Sequence, residues 1–186
     1  MKRIVLTFGL ISGAILSVMM AATIPFVEKI GFNNGMVIGY TTMVLAFLLV
    51  FFGIRSYRET VGAGRISFGR ALGVGLLIML IACICYVVTW EIIYHNFLPD
   101  FMEKYAAHEV EKARNSGKSP EQIAQEVEQM NRMMTLYKNN ILFNIAITIL
   151  EPLPVGLVMT LISALILRRR APRDQQLETG LPDLQN

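Results

Sequence analysis

Four apolar runs, residues 4–27, 36–54, 71–94 and 141–167, constrain this chain more than anything else in it. Each is about 19 residues or longer, and about 20 residues at 1.5 Å rise cross a hydrocarbon core of about 30 Å. A bilayer offers no water to stray backbone groups, so a single segment crosses only as an α-helix, which satisfies its own N–H and C=O groups. The alternative, four buried helices of a soluble bundle, calls for polar stripes that these runs lack. Hydrophobic residues make up 54% of the 186, above the roughly 45–50% usual in soluble domains. The expected fold is therefore all-α and polytopic. It has four transmembrane helices in a single domain, residues 1–170, and a tail at 171–186 expected to be cytoplasmic and without fixed structure.

The first run has an alternative reading as a cleaved signal peptide, since Met1-Lys2-Arg3 is a basic start and Ala21-Ala22 are small. A signal-peptide core is only about 7–15 residues. A retained helix also accounts for Gly9, Gly13, Ser17 and Ala21, which recur every fourth position as on a helix-packing face. Basic residues near helix ends set the orientation. Lys2, Arg3, Arg55, Arg58, Arg65, Arg70, Arg168, Arg169, Arg170 and Arg173 fall on one side. The other side has Lys29 and a longer loop whose six basic residues are offset by seven acids. Both termini are expected to be cytoplasmic. The net charge of +3 reflects this flanking, with attraction to anionic lipid secondary, and no nucleic-acid partner is expected. Cys83 and Cys85 lie two positions apart on one helix, where side chains diverge, so no mutual disulfide is expected.

The first loop, residues 28–35, reads as a tight polar turn. Residues 55–70 read as a cytoplasmic connector, with Ser67 the N-cap of the third helix. Gly62-Ala63-Gly64 follow no strand and precede no Gly-Lys-Ser, so they are read as a connector and not a phosphate cradle. Residues 95–140 alone have soluble character and read as an extracytoplasmic helical hairpin. Pro99 opens a first arm reaching about Arg114. Asn115-Ser116-Gly117-Lys118 turns, and Ser119-Pro120-Glu121-Gln122 matches a capping box with proline at the first helical position. Ile123, Val127, Met130, Met134 and Tyr137 then recur at spacings of four and three, one apolar stripe. The stripe reads as a seam against the first arm, with a partner-binding face as the alternative. Ile141 continues it, so the second arm is expected to run nearly unbroken into helix four.

In lipid, helices approach closely where Gly, Ala, Ser or Thr recur every fourth residue. Gly9, Gly13 and Ser17 on helix one and Gly156, Thr160 and Ala164 on helix four lead to the expectation that these two helices pack together.

Glu151-Pro152-Leu153-Pro154 interrupts the fourth run. Pro152 has no N–H for the carbonyl of Thr148, and Pro154 none for that of Leu150. A carboxyl near the bilayer centre costs on the order of 3 kcal/mol. The sixteen Ile, Leu, Val and Phe residues of the run, at about −0.3 to −0.6 kcal/mol each, outweigh it, so the helix inserts with a local break. Helix three runs the other way and brings Tyr86 and Glu91 to a similar depth. Glu151, Glu91, Tyr86, Tyr40 and Thr148 together form a candidate intramembrane polar site, able to hold a cation or a shared proton. The alternatives are a structural kink for Glu151 and an interfacial belt with Trp90 and Tyr94 for Glu91. His95 and His108 lack a third ligand, and a metal site needs three or four donors. No catalytic, cofactor or metal residues are expected.

Several stretches taken together resemble a family: Ser56-Tyr57-Arg58, Ile66-Ser67-Phe68-Gly69-Arg70-Ala71, the Tyr-rich end of helix three before Pro99-Asp100-Phe101, Gly117-Lys118-Ser119-Pro120-Glu121-Gln122-Ile123, the Met130/Met133/Met134 stretch, residues 150–157, and Leu161-Ile162-Ser163-Ala164-Leu165-Ile166 with a basic end. In order and spacing they are similar to an uncharacterised family of bacterial four-helix integral membrane proteins known as a domain of unknown function. The resemblance covers the chain to about Arg170 and implies a bacterial inner-membrane protein with no established activity. Members often carry Gln at the position of Arg70 and Pro near Asn139-Asn140. The leading expectation is a non-enzymatic envelope accessory or interaction module in the lipid bilayer, whose hairpin engages a partner or a second copy. The alternative is a small transporter or ion-coupled protein using Glu151.

Overall fold

The computed structural model describes residues 1–169. The tail at 171–186, with Arg170 and Arg173, lies outside the described residues. Eight α-helices follow one another among them: α1 (Lys2–Thr23), α2 (Val27–Ile30), α3 (Phe32–Thr60), α4 (Phe68–Asn96), α5 (Phe101–Arg114), α6 (Pro120–Asn139), α7 (Ile141–Leu150) and α8 (Pro152–Leu167). They form four rods long and apolar enough to cross a membrane, Lys2–Ile30, Phe32–Thr60, Phe68–Asn96 and Ile141–Leu167. The fold is all-α, with four membrane-length helices and a hairpin of α5 and α6 between the third and fourth.

The first turn is tighter than the polar loop expected for residues 28–35. Pro25 interrupts α1 and a single 3-10 turn follows, Ile24–Phe26. Gly31 then reverses the chain at φ +89°, in the left-handed region where glycine carries no Cβ penalty. Asn33 and Asn34 become the first turn of α3, and the Asn34 side chain donates to the Ile30 carbonyl at 2.9 Å, satisfying one acceptor left at the end of α2.

α1 packs most extensively on α4 and next on α3, while α8 packs on α3 and α4. This corrects the expected pairing of helices one and four. The small-residue ladder of α1 is used, but against α4. A Cβ at Gly9 would stand 2.8 Å from Ile81 Cβ, and one at Gly13 would stand 2.6 Å from Cys85 Cβ. Ser17 Oγ accepts from Thr89 Oγ1 at 2.7 Å. On α8, a Cβ at Gly156 would meet Met79 Cγ at 2.5 Å and Phe47 Cζ at 3.1 Å. Thr160 and Ala164, both buried, line the same side, with Thr160 against Gly75. Small-residue spacing marks a face for close approach without naming the helix that meets it.

The outward faces are apolar: Leu10, Val18, Leu45, Phe52, Ile84, Val88, Leu161 and Ile166 are all exposed. Continuous apolar exposure of this extent suits contact with lipid. At the arginine-bearing end, Ile66 and Arg169 exchange backbone hydrogen bonds of 3.2 and 3.0 Å, and Ser67 Oγ caps α4 by accepting from the Arg70 N–H at 3.4 Å. At the opposite end, Ser119 and Gln122 form the capping box at the start of α6, and Gly117 turns the hairpin at φ +72°.

α6 does not run on into the fourth rod. Asn140 is extended, at φ −133° and ψ 102°, and its side chain caps α7. Its Oδ1 accepts from the N–H groups of Leu142 and Phe143 at 3.0 and 3.1 Å. An Asn side chain that supplies these acceptors favours a helix start over helix continuation. The bend brings Tyr137 back beside Thr148, their hydroxyls 3.3 Å apart.

Candidate functional site

The fourth rod breaks at Glu151, between α7 and α8. The break has a consequence for packing. α8 lies against α3 and α4, whereas α7 packs on α4 and α6 and has left the face of α3. The bundle is closed at its arginine end and splayed at its hairpin end. The splay leaves a cavity of about 460 Å³ bounded by the end of α1, the first half of α3, α4, α7 and the hairpin.

Glu151 sits on the cavity wall at the break. Tyr86 Oη donates to its Oε2 at 2.6 Å, within the ordinary range for an O–H···O hydrogen bond. Beside it Pro152 is fully buried, while Pro154 is exposed. Tyr86 and Trp90 are four residues apart on α4, hence on one face, and both line the cavity. Trp90 Nε1 donates to Tyr137 Oη at 2.5 Å. The Thr148 hydroxyl, beside Tyr137, lies 2.9 Å from the Asn144 carbonyl and 3.2 Å from its Oδ1. Asn144 is only 1% exposed. This chain of polar groups ties the hairpin to α4 and α7, and burying it is tolerable because its members bond one another.

Aromatic rings roof the cavity. Phe32 meets Phe101 and Tyr105 edge-on at 5.9 and 5.8 Å, and Trp90 meets Phe101 at 5.1 Å. Burial raises the Tyr105 and Tyr137 hydroxyls above the usual tyrosine range, so both stay protonated at neutral pH. Exposed ion pairs brace the hairpin, one of them to α2 and the others within the hairpin itself. Lys104 Nζ reaches Glu28 at 2.6 Å and Asp100 at 2.7 Å, and Lys138 pairs with Glu103. Six of the chain's 11 methionines, Met19, Met20, Met36, Met43, Met102 and Met133, line the cavity. Methionine walls adapt to irregular occupants.

Of the residues read as a polar site, Glu151, Tyr86, Tyr40 and Thr148 line this cavity and Glu91 does not. Glu91 lies five positions beyond Tyr86, about 140° around α4. Its carboxylate oxygens are buried without a hydrogen-bond partner among the described residues, Oε2 lying 3.3 Å from His95 Nδ1. Trp90 and Tyr94 are buried, Trp90 against Phe101 and Tyr137 and Tyr94 against Tyr137. The stripe of α6 faces α5, with Ile123, Val127, Met130 and Met134 half-buried, and Tyr137 at its end is buried against α4. His108 stacks on Phe32 at 5.0 Å. Among the described residues no group of three or more His, Cys, Asp and Glu converges as a metal site.

Sequence reasoning passed over Asn144. The signal was there: Asn144, Thr148 and Glu151 recur at spacings of four and three, a polar stripe inside an apolar helix. The hairpin as roof had no such signal.

No curated protein and no solved structure matches the chain. Residues 7–169, covering the four membrane-length rods and the hairpin, match the model of a family described as Protein of unknown function (DUF4199). On that match the chain belongs to the DUF4199 family.

Proposed function

We propose that this chain is a non-enzymatic, multi-pass protein of the bacterial inner membrane that binds a small molecule beneath its hairpin, with Glu151 as the polar anchor. The single observation that carries the reading is the Tyr86–Glu151 hydrogen bond of 2.6 Å on the wall of a 460 Å³ cavity. Binding sites for small molecules are mostly apolar cavities of about 300–1,000 Å³ with a few placed polar groups. The arginine-rich end faces the cytoplasm on the positive-inside rule, which puts the hairpin on the extracytoplasmic side. Docking of a partner or a second copy on the hairpin is less well supported, because its apolar stripe is already spent on α5 and α4. Ion coupling would use the same carboxyl and adds movement to binding.

The test fills the cavity. A Cβ at Gly39 meets nothing within 4 Å, and Gly39 lines the cavity. Trp90, the chain's one tryptophan, is 7% exposed and lines the same cavity. A terminally brominated long-chain alcohol in phosphatidylcholine nanodiscs is expected to quench Trp90 saturably. Gly39→Phe is expected to abolish the saturable part while insertion and melting hold. Quenching that is linear in both proteins would refute the reading.

A further inference from the structure

Resting on the cavity as a binding site, we infer that its occupant is an amphiphilic ammonium ion, its charged nitrogen against Glu151 and its apolar body under the hairpin. Charge complementarity carries this. Among the cavity-lining residues Glu151 is the only carboxyl, and no Lys, Arg or His joins it. A carboxylate offers about four lone-pair sites, and Tyr86 occupies one of them on Oε2. An N–H donor carrying positive charge is the group that uses the rest most favourably.

The walls fit the same ligand. Tyr40, Tyr86, Trp90 and Tyr105 surround the space next to Glu151, and aromatic faces attract organic cations, more strongly when water is excluded. The methionines and Phe101 accept an apolar chain or ring without demanding one shape. An anion finds no counter-charge here. A phospholipid whose headgroup carries an amine would also bring its phosphate, and burying an unpaired phosphate is costly. A freely diffusing ammonium amphiphile therefore fits better than a lipid headgroup.

The experiment compares three terminally brominated probes of equal chain length, a primary amine, an alcohol and a carboxylate, on the full chain in phosphatidylcholine nanodiscs. Trp90 quenching is read after correction for partition into the lipid. The amine is expected to half-saturate at least tenfold below the alcohol, and the carboxylate not to saturate. In Glu151→Gln the amine is expected to fall back to the level of the alcohol. Equal half-saturation of amine and alcohol in the unaltered protein overturns the ammonium assignment and leaves the cavity as a binding site. Absence of saturable quenching by every probe removes both. The comparison within the unaltered protein needs no variant to fold. Replacing part of the lipid with phosphatidylethanolamine separates the two sources of the amine. An unchanged amine titration supports a free ligand, and a shift to higher concentration overturns that in favour of the headgroup.

Discussion

Gly13→Ala tests how the first helix is held. Gly13 is buried on α1, and a Cβ there would lie 2.6 Å from Cys85 Cβ, 2.7 Å from its Sγ and 3.4 Å from Ala82 Cα. Carbon atoms attract best at about 3.5–4.0 Å, so α1 and α4 would have to part by roughly 1 Å at this contact. Overpacking of that kind costs about 1–3 kcal/mol. Separation also stretches the Ser17–Thr89 hydrogen bond one turn away, and such bonds average about 0.6 kcal/mol in membrane bundles. Alanine's higher helix propensity offsets up to about 1 kcal/mol. The expected outcome is a net loss of about 1–2 kcal/mol, read by reversible unfolding in mixed micelles. Gly73→Ala on α4 is the control, because a Cβ there meets nothing within 4 Å; it is expected to be neutral or slightly stabilising. Cys85→Gly removes both clashing atoms, so the double variant should show a coupling of at least about 0.5 kcal/mol. Gly13→Ala as stable as Gly73→Ala, with no coupling to Cys85, would refute the α1–α4 contact. Coupling to Gly156 instead would restore the pairing of the first and fourth rods.

Tyr137→Phe leaves the Trp90 N–H without its acceptor and removes the neighbour of Thr148. Orphaning a buried donor costs about 1–3 kcal/mol; the hairpin should detach first, seen as faster hydrogen exchange in α6 at unchanged exchange in α3, and equal exchange in both proteins would sink the idea. The exposed ion pairs of the hairpin set its pH response. Glu103 is held below its ordinary 4.5 by Lys138, so its contribution is present above that pH and lost as the pH falls through the lowered value. Lys104 is raised above 10.5 by Asp100 and Glu28, so its contribution is present below that pH and lost as the pH rises past the raised value. A spin-label distance between α5 and α6 should therefore stay flat near neutrality and lengthen slightly in acid, and one between α5 and α2 should lengthen slightly in strong alkali, both more weakly in high salt. A transition near neutral pH would contradict the assignment.

The legible parts of the fold were those governed by local rules. Apolar length marked four rods, the Ser119-Gln122 capping box marked the start of α6, and the prolines after Glu151 marked where α7 ends. Each follows from atoms within a few residues of one another. Less legible was Asn140. Its neighbours continue the apolar stripe of α6, yet its side chain caps the next helix and bends the chain. Periodicity describes which side of a helix is apolar and does not record where a polar side chain outcompetes the backbone. The pairing of Glu151 with Tyr86, and the exclusion of Glu91 from the same space, depend on rotation about α4 relative to α7.

The amino-acid sequence by itself determined that this chain carries four helices long and apolar enough to cross a lipid bilayer, where hydrocarbon penalises every unbonded backbone group along about 20 residues. It also determined that the fourth crossing breaks at Glu151, because two prolines deny donors to fixed carbonyls. Tertiary structure alone decided what that break packs against. Small residues let α1 sit on α4 and α8 on α3 and α4, and the broken rod then has nowhere to place α7 except against α4 and under α6. The space left beneath the hairpin, with one carboxylate on its wall, exists only through that packing: close approach is a property of paired surfaces, and no single helix encodes its partner.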